Sequence, residues 1–94
     1  MFSRNRYVTA RASEEVPFVL QLFMWSCIDM LGNEADYLQV FELIATSEGQ
    51  RIAHVQEQPS YRKEYLMKCD KPLSAKIFVI DDVGYATMMF AEEY

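Results

Sequence analysis

The residues Pro17 to Leu31, PFVLQLFMWSCIDML, form the most apolar stretch of the chain. What can cover that stretch constrains the fold more than any other feature. Pro17 suits a first helical turn, because its fixed φ is helical and its missing N–H would be unpaired there. Gly32 and Asn33 supply the left-handed residue that commonly ends a helix. The pattern predicts a helix from near Val16 to Leu31, roughly 22 Å long at 1.5 Å per residue. At about 100° per residue, Leu20, Phe23, Met24, Cys27, Met30 and Leu31 share a face assigned to the core. Gln21, Ser26 and Asp29 lie opposite, but so do Phe18, Leu22 and Trp25, which stack into a second apolar stripe. A helix apolar nearly all round needs cover on its back, from the N-terminal arm, from the sheet or from a second chain.

The other 79 positions supply strands, and with 51% hydrophobic residues in 94 the chain can bury one core, so residues 1–94 read as a single domain. Arg4, Arg6 and Arg11 interrupt the N-terminus without a following apolar segment, so no secretory signal is expected. No apolar run exceeds four residues, too short to span a bilayer, and the expected location is the cytoplasm with no membrane partner. The formal net charge of −5 opposes attraction to nucleic-acid phosphates. Its distribution is uneven. Asp29, Glu34, Asp36, Glu42 and Glu48 have no basic residue among them, whereas residues 51–68 carry Arg51, Arg62, Lys63 and Lys68 against Glu57 and Glu64.

Asn5 to Arg11 reads as a short first strand or extended arm, with Val8, Ala10 and Ala12 on one side and Tyr7 and Thr9 on the other. Glu14 and Glu15 then approach the positive end of the helix. After Gly32, Asp36 to Ala45 alternates Tyr37, Phe41 and Leu43 with Leu38, Val40 and Ile44. Thr46 to Gly49 makes a turn, with Gly49 available for positive φ. Gln50 to Gln58 returns with Ile52 and His54 opposite Ala53 and Val55. Tyr61 to Lys68 sets Tyr61, Tyr65 and Met67 against Arg62, Glu64 and Leu66, and this polar pair reads as the exposed edge of the sheet. Lys76 to Asp81 and Tyr85 to Ala91 form a last hairpin apolar on both faces, so it belongs in the centre. The fold class is α+β: a strand or arm, one long helix, then a five-stranded antiparallel meander. One helix covers only one face of a sheet, so strong bending into a small partial barrel, the N-terminal arm or a partner must cover the other.

Chemistry is hard to find. His54, the only histidine, sits between Ala53 and Val55 with no nucleophile motif, and reads as a packed or rim residue. Cys27 and Cys69 lack ligand or redox spacing; Cys27 reads as a reduced core residue and Cys69, beside Asp70, as a turn residue. Asp81-Asp82 read as turn formers and Glu92-Glu93 as a solvated end, since neighbours on a strand point to opposite faces. The three glycines form no phosphate loop. No cofactor, metal or catalytic residue is expected, and the chain does not read as an enzyme.

The stretches Glu15-Val16-Pro17, Gln21 to Trp25, Asp36 to Leu43, Gln56-Glu57, Glu64-Tyr65, Lys76 to Asp82, Tyr85, Thr87 to Met89 and Glu93-Tyr94 together resemble a Firmicutes family. It is catalogued as staphylococcal protein of unknown function, domain of unknown function 960. The resemblance implies a compact domain of about this length, found in phage- and plasmid-bearing Gram-positive genomes, and implies no activity. The sequence therefore leads to a non-enzymatic interaction protein using Phe18, Leu22 and Trp25, or the outer face of the last hairpin, against a second copy or another protein. Two alternatives stay open. The acidic run, with Glu42 and Glu48, could occupy a basic groove of a nucleic-acid enzyme. Tyr61, Arg62, Lys63 and Tyr65 could form a weak single-strand platform in a small barrel.

Overall fold

A computed structural model describes Phe2 and residues 5–94. Arg4, one of the basic residues read against a secretory signal, lies outside the described residues. The segment after Asn5 is only partly the expected arm. Arg6–Val8 forms strand β1, and a separate helix, α1, runs from Ala10 to Glu15. The Thr9 side chain caps it by accepting a hydrogen bond from the Ala12 N–H at 3.2 Å. Val16 leaves the helical region ahead of proline, as steric conflict with a proline ring requires. Helix α2 then spans Phe18–Leu31, with Pro17 as its N-cap and Gly32 (φ +57°) as its C-cap. Buried Gln21 stitches the two helices together by donating to the Val16 carbonyl at 2.8 Å.

Strands β2 (Leu38–Thr46), β3 (Gly49–Gln56), β4 (Tyr61–Met67), β5 (Ala75–Asp82) and β6 (Tyr85–Phe90) complete an open six-stranded sheet in the order β1-β6-β5-β2-β3-β4. The α+β class with one long helix holds, but the strands do not run as a simple meander, and the sheet is not closed into the small partial barrel that was one of the expected variants. All pairings are antiparallel except β1 with β6, which is parallel, and β5 crosses back to lie beside β2 instead of continuing from β4. Burial explains the crossover. With apolar residues on both faces, β5 needs an apolar neighbour on each side; β2 and β6 provide them, whereas β4 carries Arg62, Lys63 and Glu64 and stays at the edge.

Both helices lie on one face of the sheet. Leu20, Met24, Cys27 and Ile28 pack with Phe41, Leu43, Ile52, Ile77, Val79, Met88 and Phe90 in a continuous core. The buried arc of α2 is rotated from the expected one. Gln21, Trp25 and Ile28 face inward, while Met30, assigned to the core from its spacing, is 72% exposed. The C-terminus is also less free than a solvated end. Glu93 accepts from the Thr9 hydroxyl at 2.9 Å and from the Phe90 N–H at 2.8 Å, and Glu92 pairs with Arg11 at 2.6 Å.

Candidate functional site

The face of the sheet turned away from the helices has a binding character, with its central apolar side chains half-buried. Register alone builds it, since directly paired residues share a face. One row crosses the sheet as Met89, Phe78, Val40 and Val55, ending at Arg62 on the edge. The next reads Tyr7, Thr87, Ile80 and Leu38. Tyr94 stands edge-on to Phe78 at 5.9 Å, and Tyr7 meets Tyr85 at 6.1 Å. Tyr37, Leu38, Val40 and Val55 line a recess of about 90 Å³ at the margin. A third row, Lys76, Glu42, Ala53 and Glu64, is polar. Arg62 lies across it, 3.5 Å from Glu42 and 3.1 Å from Glu64. Beyond that row, Ile44 and Leu66 are exposed on either side of Arg51, so apolar and charged positions interleave on this face, as they do across protein contact surfaces.

The second apolar surface is the back of α2. Phe18 is 70% exposed, and Val19, Leu22 and Met30 are exposed beside it. Trp25, grouped with Phe18 and Leu22 on spacing, leaves that surface: it is 9% exposed, with the Arg6 guanidinium 4.7 Å above its ring. Among the described residues, cover from the N-terminal arm reaches Trp25, through Arg6, while Phe18 and Leu22 stay exposed. Arg6 also forms an ion pair with Asp29.

The acidic run is dispersed. Asp29 pairs with Arg6, Glu34 lies in a 3₁₀ turn (Gly32–Glu34), Glu42 sits on the open sheet face and Glu48 in the β2–β3 turn. Asp36 accepts from the Tyr37 and Gln58 N–H groups. The candidate single-strand platform is split between faces. Tyr61, Lys63 and Tyr65 share the helix-covered face of β4, and Arg62 points to the other. Tyr61 meets the His54 ring edge-on at 5.2 Å, Tyr65 meets Phe23 at 5.0 Å, and the Lys63 ammonium lies 5.5 Å from the Tyr65 ring. Burial pushes the Tyr65 hydroxyl up from its ordinary pKa, and the neighbouring Cys27 adds to the shift. Burial likewise pushes up the Cys27 thiol.

Sequence reading missed a polar network inside the core. Gln39 Nε2 donates to Gln56 Oε1 at 2.6 Å and to the Asp36 carbonyl at 2.9 Å, which leaves Gln39 Oε1 as an acceptor. His54 Nε2, 2.6 Å from that oxygen, must therefore be its donor. Burial lowers the pKa of the imidazole, which favours the neutral form with its proton on Nε2, and Nδ1 is buried with no hydrogen-bond partner among the described residues. Phe41 stacks on the ring at 4.3 Å. Gln56 Nε2 closes the network on the Glu34 and Pro59 carbonyls. The signal was present in the strand phase. Gln39 alternates with Phe41 and Leu43, and Gln50 and Gln56 alternate with Ile52 and His54, so all three fall at core positions.

Two of the broader grooves lie away from the centre of the open sheet face. One, of about 390 Å³, is lined by Arg11, Glu15, Lys76 and Glu92 among others, with Arg11 paired to both glutamates. The other, of about 450 Å³, lies between Pro17 and Val19 and the loop carrying Lys68, Cys69 and Lys71. Among the described residues, no group of three or more His, Cys, Asp or Glu residues could hold a metal ion. Nor is any helix among them long and apolar enough to cross a membrane.

Comparison with known structures finds the same fold in the crystal structure of a protein of unknown function from Enterococcus faecalis. The TM-score is 0.79 at 22% identity, over 100% of this chain and 98% of that one. No curated protein sequence matches the chain. The family model described as staphylococcal protein of unknown function (DUF960) matches residues 5–93, and the chain belongs to that family.

Proposed function

We propose that the protein is a non-enzymatic protein-interaction domain whose contact surface is the open face of the sheet. We further place it in the cytoplasm as an accessory or regulatory protein of mobile elements, the setting that the family resemblance implies. The observation that carries the reading is the row Met89, Phe78, Val40 and Val55, four apolar side chains at adjacent register positions on a face that no helix covers. A sheet hydrophobic on both faces has apolar surface to bury on both, and α1 and α2 bury only one.

The test is photo-crosslinking in cells. A benzophenone-bearing phenylalanine replaces Phe78 in one variant and Glu48 in another. Adducts to protein from position 78, absent from position 48, support the reading. No adduct from position 78 overturns it, and adducts from position 48 alone transfer the contact to the acidic run.

A further inference from the structure

We propose that the occupant of the open sheet face is a second copy of this chain, packed face to face about a two-fold axis that follows the seam between β5 and β2. The proposal rests on the interaction reading above and names the partner it leaves open.

The seam divides the sheet evenly, with β1, β6 and β5 on one side and β2, β3 and β4 on the other. Three register pairs straddle it on the open face: Ile80 with Leu38, Phe78 with Val40, and Lys76 with Glu42. A two-fold axis lying along the seam exchanges the two sides while keeping each row at its own height. Phe78 of one copy then stands over Val40 of the other, a large side chain over a small one. Lys76 stands over Glu42, cation over anion. Each contact occurs twice, as an isologous interface requires. The roughly 30° angle of aligned sheet packing is accommodated by the twist of the two sheets.

Charge and area agree with this occupant. The chain carries −5 overall, which would hold two copies apart on most of their surface. The open face is balanced: Arg51, Arg62 and Lys76 against Glu42, Glu64 and Asp82. Six strands about 4.8 Å apart, averaging about 23 Å in length, project an area on the order of 600 Å². Corrugation by side chains brings the accessible area towards the ~800 Å² per partner of a standard specific interface.

Sedimentation equilibrium of the full chain decides the matter. The expected species has twice the 11.0 kDa chain mass. Phe78→Asp weakens self-association by about 100-fold or more, as loss of a central aromatic anchor does. Lys76→Glu weakens it by setting like charges over one another, and adding Glu42→Lys restores it; circular dichroism checks that each variant is folded. A dimer dissolved by Leu22→Asp and indifferent to Phe78→Asp overturns the proposal in favour of the helix stripe. A strict monomer also overturns it. If crosslinks from position 78 still reach another protein, the interaction reading survives that failure; if they reach nothing, both fall.

Discussion

At the scale of single residues, His54 couples the core to pH. Its side chain has no exposure, its Nε2–H is held by Gln39, and burial lowers its pKa from 6.5 to about 4. The sign follows from linkage. Between pH 6.5 and 4 the unfolded chain binds a proton that the folded chain does not, so stability is full above pH 6.5 and falls as pH drops through the window. Below about pH 4 this residue causes no further loss. The expected loss between pH 7 and pH 5 is about 2 kcal/mol. Urea midpoints measured across that range check it. His54→Gln keeps an amide donor for Gln39 and should flatten the dependence, and an unchanged slope would remove His54 as the cause. The buried phase of His54 was legible from its strand, because Ile52 and His54 alternate with Ala53 and Val55. Its partner was not. Gln39 lies 15 residues away, and only the pairing of β2 with β3 brings the two together.

Among the elements, the tight turn between β2 and β3 tests how backbone geometry chooses its residue. Gly49 has φ +137°, and a Cβ added there would lie 2.5 Å from the Met67 carbonyl oxygen, a backbone atom that cannot swing aside. Gly49→Ala therefore combines backbone strain with a clash and should cost about 2–3 kcal/mol. Gly32→Ala, at φ +57° with nothing within 4 Å, should cost only about 1 kcal/mol. Denaturant unfolding of the two variants checks the order, and equal losses would mean that the clash relaxes. The turn at Gly49, the limits of α2 and most strand phases were readable, because each rests on local chemistry or on period-two patterning. Helix α1 was not. Val8, Ala10 and Ala12 alternate as a strand would, and the cap at Thr9 becomes visible only once the chain is seen to turn after Val8. The rotation of α2 was also hidden. Its apolar surface is nearly continuous, so the sheet beneath, with Arg6 over Trp25, selects the buried arc.

For the molecule as a whole, the decisive event is the return of the chain from edge strand β4 to the sheet centre, and one buried side chain fastens it. The connection runs from Lys68 to Ser74; with Ser47 and Glu48 it borders an open groove, and its Leu73 packs against the core. Gln50, at the start of β3 and fully buried, grips it from inside. Its Oε1 accepts from the Leu73 N–H at 2.9 Å, and its Nε2 donates to the Leu73 carbonyl at 3.0 Å. The same amide reaches the Arg51 carbonyl at 3.0 Å, and Ser74 Oγ accepts from the Ala45 N–H at 3.0 Å alongside. A glutamine thus replaces the backbone pairing that a meander would have supplied between β4 and β5. Gln50→Leu removes the grip and strands both polar groups of Leu73 in a partly buried position, at a cost of about 2–4 kcal/mol for two groups. Because β5 lies between β2 and β6, the loss should spread beyond the loop. Hydrogen exchange should quicken first at Leu73 and Ala75, then along the β5–β2 seam, with the β6–β1 side less affected. If protection is lost only at residues 68–74 while β5 stays as slow as in the wild type, the crossover is an ornament of the sheet and not its fastening.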